Sequence, residues 1–190
     1  MAGLAELPRD LVTLEEWDAL ELDEARRWEL VEGGIVMTPR PRPLHQVVSG
    51  NLRQLIRDNL PASLVVLQEV EITVEARFPP TVRDPDLVVV NRSVVDRNLV
   101  RIDPLDVVLV IEIVSPGSRR TDRVMKAYEY AKAGIEHYWI VDLDAEPDER
   151  FLAHVLREET YHRVGALVGD RVRTEEPLVL DFMLDELTKL

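Results

Sequence analysis

The sequence predicts an α+β fold, mixed in strand direction and built on one central sheet. Two continuous β-branched runs, DLVVV at 86–90 and VVLVIEI at 107–113, read as strands covered on both faces. A helix-period stretch from about Ser118 to Ala133 follows, and HYWIVD at 137–142 returns to strand. Strand, strand, helix, strand requires at least one parallel crossover beside antiparallel neighbours. With 190 residues and neither an internal repeat nor a linker, one domain spanning 1–190 is expected.

Each element has its own local cause. Thr13 with Glu16 is a capping-box pattern, opening a short helix through Glu15, Trp17 and Leu20. In WELVEGGIVMT the pair Gly33-Gly34 supplies positive φ for a tight turn, which predicts a hairpin of 28–32 and 35–38. The prolines of PRPRP at 39–43 make a stiff connector, since proline lacks the N–H that a helix interior or central strand uses. Val48, Leu52, Leu55 and Ile56 recur at helical spacing, so a helix runs from His45 to about Leu60. LVVLQEVEITV at 64–74 alternates, with Val66, Val70, Ile72 and Val74 on one face, and predicts one half-buried strand. Gly134 stops the later helix. Beyond 143 the pattern leaves strands near 151–156 and 177–180 and an acidic tail, read as solvated surface or a dimer contact.

Composition narrows the function. The absence of Cys removes disulfides, thiolate metal sites and Cys nucleophiles, so any metal must be held by carboxylate, imidazole or carbonyl. No apolar run approaches the ~18 residues of a membrane helix, and the N-terminus lacks the layout of a signal peptide. A cytoplasmic protein without membrane contact is expected. The net charge of −13 argues against coating nucleic acid through bulk potential. Its distribution is uneven: 1–36 holds 10 acids and 3 bases, 142–190 holds 13 and 6, but 37–141 holds 13 and 14. Within the centre, 38–57 carries Arg40, Arg42, Arg53 and Arg57 with no acid. That stretch is either a phosphate-receiving patch or a solvated basic face.

Asp86 and Glu112 carry the strongest chemical signal, because each interrupts a run built for a dry interior, and a charge there needs a partner. If the two runs are antiparallel neighbours, the acids meet at one sheet edge. Two adjacent carboxylates repel unless a divalent cation neutralises them, and Mg²⁺ suits an oxygen-only site. The alternative is a turn at Asp84-Pro85-Asp86 and an arginine partner for Glu112. Asp122, Lys126 and Tyr130 follow at spacings of four and line one helical face. Twenty of the 23 basic residues are Arg, so a Lys is wanted for itself, as a compact charge that approaches a water or phosphate oxygen. An ordinary surface Asp–Lys pair is the competing reading.

RDPDLVVV, VVLVIEIVSPGSRRTD and KAYEYAKAGIEHYWIVD, with ELVEGGIV and the pair His45-Gln46, together resemble the Uma-two family of endonucleases in the PD-(D/E)XK nuclease superfamily. The resemblance runs from about Leu11 to Phe182. It implies a restriction-endonuclease-like fold, a mixed central sheet flanked by helices, with Pro85-Asp86 as the first half of the motif and Glu112 as the acid of the second. The superfamily pattern has Lys two residues after that acid, where this chain has Val114; the resemblance implies that Lys126 supplies it from the following helix. It also implies roles for Glu32, as an extra ligand, and for His45, as a contact to substrate or water. A lone His at a helix start is as often a cap or surface group.

The expected activity is Mg²⁺-dependent hydrolysis of DNA phosphodiesters, with Mn²⁺ as a substitute. Asp86, Glu112 and the Ile113 carbonyl would hold the metal. Lys126 would orient water or stabilise charge on phosphorus, held in place by Asp122 and Tyr130. Arg40, Arg42, Arg119, Arg120 and Arg123 would receive DNA, two such patches pairing across a homodimer. The rivals are a non-catalytic dimeric nucleic-acid-binding relative, suggested by Val114 and the net acidity, and a metal-dependent hydrolase of smaller phosphoesters. His137, His154 and His162 lack zinc-site spacing and read as structural. Ser115-Pro116-Gly117-Ser118 reads as a strand-to-helix turn with Ser118 near the N-cap.

Overall fold

The computed structural model describes Pro8, residues 10–23 and residues 26–190. The reading of the extreme N-terminus falls outside them. Helix α1 (Leu14–Ala19) opens on the expected capping box: the Glu16 N–H donates to Thr13 Oγ1 at 3.2 Å and the Thr13 N–H donates to Glu16 Oε2 at 2.9 Å. Strands β1 (Arg27–Val31) and β2 (Gly34–Thr38) form the hairpin, with its turn one residue earlier than the glycine pair suggests. Glu32 (φ 48°) and Gly33 (φ 74°) are the turn residues, and Gly34 already pairs with Val31. Backbone bonds explain the shift, since Gly33 donates to the Pro80 carbonyl and accepts from Val12, both at 2.8 Å.

Helix α2 (Pro43–Asn59) starts on the last proline of the stiff connector, as suits a residue without an N–H. The expected single strand over 64–74 is two strands, β3 (Leu64–Gln68) and β4 (Ile72–Glu75), which lie in different sheets. Glu69 at φ 51° breaks the extended run. Next come β5 (Thr81–Arg83), β6 (Leu87–Asn91), α3 (Ser93–Arg97) and β7 (Val107–Ile113). A helical stretch follows from Arg119, π-helical over Thr121–Lys126 and α-helical as α4 (Ala127–Lys132). The Tyr138 hydroxyl donates to the Asp122 carbonyl at 2.8 Å, the kind of side-chain insertion that accompanies a break in the ordinary helical ladder. The remaining strands are β8 (His137–Val141), β9 (Phe151–Arg157), β10 (Thr160–Val164), β11 (Leu167–Val168), β12 (Arg171–Thr174) and β13 (Leu180–Met183).

The main sheet has the order β10-β9-β8-β7-β6-β3; β7 and β8 are parallel, joined through α4, and the other pairs are antiparallel. Its central strands are buried on both faces, as their unbroken apolar runs require. On one face Leu87, Val89, Ile111 and Trp139 pack against Val48, Leu52 and Ile56 of α2. On the other, Val88, Val110 and Ile140 pack against Tyr130 and Ile135. A second sheet, β2-β1-β5-β4, stands beside the end of the first, over its own cluster of Val12, Trp17, Leu30 and Val82.

The acidic tail, read as solvated surface or a dimer contact, also builds part of the fold. Strands β11, β12 and β13 make a third sheet, with the expected strand at 177–180 displaced to 180–183. Leu178, Leu180, Phe182, Leu184 and Leu187 enter the α2-side core, while the acids point outward at the alternating positions. Counting charges over the segment concealed that period. Among the described residues no helix is long and apolar enough to cross a membrane.

Candidate active site

The register of β6 and β7 pairs Leu87 with Ile111, so one step further along Asp86 lies beside Glu112 at the end of the sheet. Even-numbered residues of both strands face α4 (Val88 and Val110 do so), which aims Asp86 and Glu112 at the helical stretch carrying Asp122, Lys126 and Tyr130. Lys126 Nζ lies 2.9 Å from Glu112 Oε1 and 3.7 Å from Asp122 Oδ1. The groups are almost inaccessible: Asp86 is 6% exposed, Glu112 3% and Lys126 6%.

Three residues that the sequence reading passed over complete the cluster. Glu29 on β1 forms an ion pair with Lys126 Nζ at 3.3 Å and accepts from Arg83 Nη1 at 2.7 Å. Arg83 is itself buried and spans to Glu129 with two further bonds of 2.7 Å. Arg27, two residues before Glu29 and so on the same face of β1, donates to Asp84 Oδ2 at 2.8 Å and to Asp86 Oδ1 at 3.0 Å, and also to the Asp84 carbonyl. The period-2 spacing of Arg27 and Glu29 was the available signal, and it reads as a solvated hairpin until a second sheet edge is placed against it.

His45, at the start of α2, reaches the same point from the opposite face of the sheet. Its Nε2 lies 3.1 Å from Asp86 Oδ2 and 3.0 Å from the Ile113 carbonyl; both partners are acceptors at neutral pH, so this nitrogen carries the proton. The Ile113 N–H donates to Asp86 Oδ2 at 2.8 Å. Burial works to raise the Asp86 carboxyl, yet His45, Arg27 and the Ile113 N–H hold it down at about 2. Glu112 behaves oppositely: burial pushes its carboxyl above the ordinary value against the pull of Lys126, with Asp122 and Asp86 adding to the rise. Burial alone would lower Lys126, but Glu112, Glu29 and Asp122 hold it well above its ordinary value, so it stays an ammonium.

Several expected roles change. Glu32 sits exposed in the hairpin turn and lines a neighbouring cavity; Glu29 is the hairpin acid that enters the cluster. Tyr130 donates to Glu112 Oε1 at 2.8 Å, so it steadies the carboxylate that Lys126 also binds. Arg119 grips Asp142 with bonds of 2.7 and 2.9 Å, while Arg123 binds Asp142 at 3.1 Å and Glu149 at 2.6 Å. Both are committed within the chain, because Asp142 is buried and needs them. Arg42 borders the cavity above the cluster, and Arg40 and Arg120 are exposed.

The donor set suits a hard divalent cation held partly by water. Five buried carboxylates, Glu29, Asp84, Asp86, Glu112 and Asp122, face three fixed cations, Arg27, Arg83 and Lys126, with His45 as a fourth donor. Asp84 Oδ1 and His45 Nδ1 are buried without a hydrogen-bond partner among the described residues. Among the described residues no group of three or more carboxylate or imidazole residues is placed to hold a metal ion; the set expected from the sequence, two carboxylates and a carbonyl, would leave most of a Mg²⁺ shell to water. His45 Nε2 bridges two of those oxygens, and a cation must compete with it.

Strand-borne acids at the end of a mixed sheet and a lysine from the crossover helix, opening into a cavity of about 470 Å³, define a restriction-endonuclease-like domain. Residues 14–185 match the family Uma2, described as "putative restriction endonuclease", and the chain belongs to that family. It is also similar to a crystal structure described as a putative nuclease of DUF820 from Anabaena variabilis, with a TM-score of 0.66 at 20% identity, covering 93% of this chain and 97% of the other. No curated protein matches the chain.

Proposed function

We propose that the protein is a Mg²⁺-dependent endonuclease that hydrolyses DNA phosphodiester bonds. The observation that carries the reading is the convergence of Asp86, Glu112 and Lys126, from two strands and a helix, at the floor of one cavity. Asp86, Glu112 and the Ile113 carbonyl would hold the cation, which when bound polarises a phosphate oxygen and lowers the pKa of attacking water. Lys126 offers N–H donors to a phosphate oxygen or the nucleophile, and its burial strengthens that charge by excluding water. Asp122, Glu29 and Glu112 anchor the ammonium, and Tyr130 restrains Glu112. On this reading Lys126 would replace, from the helix, the lysine absent at Val114. A cytoplasmic homodimer, which would present two such sites to the two strands of a duplex, belongs to the same reading.

The test is nicking of supercoiled plasmid at low salt with Mg²⁺, Mn²⁺ or chelator. Metal-dependent cleavage lost in Asp86→Asn and Glu112→Gln is expected. Folded protein that leaves the plasmid intact with either metal would favour the non-catalytic relative.

A further inference from the structure

The catalytic groups lie at the bottom of a cavity, whereas a duplex presents its phosphates on a convex outer surface with the bases stacked away from the protein. Beside Thr38, Arg42, Ser115, Ser118 and Thr121, the cavity above the charged floor is lined by apolar side chains: Val36 and Met37 of β2, Pro39, Pro116 and Met125. Such side chains have nothing to offer a phosphate, but they match the face of an unstacked base. Met125 also lines a second cavity of about 530 Å³, whose rim carries Phe78 at 62% exposure and Tyr128 at 69%. Three acids share that lining: Glu75 is bound to Arg77 at 3.2 Å and faces Lys132 at 3.7 Å, Glu129 is held by Arg83 with two bonds of 2.7 Å, and Glu32 sits exposed in the hairpin turn. An independent observation agrees. Arg119 and Arg123, which would extend a duplex-tracking patch, are tied to Asp142 and Glu149.

We propose that the site receives an unpaired DNA strand: one nucleotide enters with its phosphate at the carboxylate–lysine floor and its base against Val36, Met37 and Met125, and the adjoining base stacks on Tyr128 and Phe78. This rests on the nuclease reading and supplies its substrate class. An unpaired strand reaches the floor without the unstacking that a paired nucleotide requires. A blunt duplex stays outside, and a duplex with splayed ends is admitted through those ends.

The experiment measures fluorescence anisotropy of a labelled single strand, its blunt duplex and a splayed duplex, with Ca²⁺ replacing Mg²⁺, alongside Mg²⁺ cleavage of the same three. The single strand is expected to bind at least tenfold tighter than the blunt duplex, with the splayed form between. Tyr128→Ala and Phe78→Ala, at exposed positions that leave the core intact, should weaken single-strand binding about five- to a hundredfold, the range of one lost base stack. Met37→Glu should weaken it further. Equal or tighter binding of the blunt duplex, unchanged affinity in both aromatic variants, or no binding to any of the three overturns the inference. Cleavage absent while the strand preference and the aromatic losses persist would sink the nuclease reading and leave the unpaired-strand pocket standing.

Discussion

Lys126 is the residue on which the chemistry turns, and its burial makes its variants two-sided. Removing the ammonium leaves Glu112 and Asp122 without their counter-charge and Glu29 with Arg83 alone, and breaking a buried pair by deleting one partner costs about 3–5 kcal/mol. Lys126→Ala is therefore expected to lower the denaturation midpoint as well as abolish cleavage, whereas Lys132→Ala, at the surface, should change neither by more than ~0.5 kcal/mol in stability. Chemical denaturation run beside the plasmid assay separates the effects; a fully stable Lys126→Ala would mean that the cluster is less tightly coupled than its distances indicate. His45 invites a different measurement. Its Nε2 holds the two oxygens a cation would share, so His45→Ala should tighten Mg²⁺ binding about tenfold, the equivalent of one charge-assisted hydrogen bond of ~1.5 kcal/mol. Calorimetric titration with Mg²⁺ reads this directly, and weaker binding would identify His45 as a helper of the cation instead.

Asp142 shows the same electrostatics at a structural position. Burial works to raise its carboxyl, but Arg119 and Arg123 outweigh this and hold it below the usual value. A depressed folded-state pKa contributes stability above the unfolded value and loses it as pH falls through the folded one. Asp142→Asn should therefore cost about 1.5–3 kcal/mol at pH 7, with the gap to wild type closing as the pH is lowered through the acid limb. A gap constant with pH would contradict the ion-pair account.

Among the elements, the β1–β2 hairpin has the most exacting geometry. Gly33 has φ 74°, and a Cβ there would stand 3.0 Å from Leu11 Cβ and 3.4 Å from the Val12 nitrogen. Gly33→Ala adds left-handed strain of ~1–2 kcal/mol to that crowding and should tilt the strand that delivers Arg27 and Glu29 to the site. A lower melting temperature together with reduced cleavage is expected, and a wild-type melting curve would show that the turn relaxes freely. The hairpin was legible as a hairpin from its glycines. Its register was not, because the bonds that select Glu32-Gly33 come from Pro80 and Val12, distant in sequence or lying ahead of the turn. Likewise 64–74 alternates continuously, and only the positive φ of Glu69 divides it between two sheets.

Over the whole molecule, metal binding and folding are linked. If the excess of buried carboxylate is met by a cation, Mg²⁺ should raise stability by about 2.7 kcal/mol at a hundred times its dissociation constant. Asp86→Asn should remove that gain, and a melting temperature unmoved by Mg²⁺ in the wild type would refute the site. The paired arginines set a second molecular property, since Arg119 and Arg123, held by Asp142 and Glu149, displace no counterions while those pairs stand. A log–log salt slope of about −1 to −2 for DNA binding is expected, and a much steeper one would require basic surface that these ion pairs deny.

The sequence by itself determined strands β6, β7, β8 and β9 of the central sheet and its parallel crossover, and it singled out Asp86, Glu112 and Lys126, which the family resemblance then joined into a set. Each is a local signal: a charge within a β-branched run, or a rare lysine one helical turn from an aspartate. Tertiary structure alone decided that Glu29 rather than Glu32 joins them, that Arg27 pairs with Asp84 and Asp86 and Arg83 with Glu29, that two arginines expected to receive DNA are held by Asp142, and that the acidic tail buries a row of leucines and a phenylalanine. Those outcomes depend on which residues from separate strands meet at one sheet edge, and a charge chooses its partner by proximity in space, where burial makes an unpaired one too costly to leave.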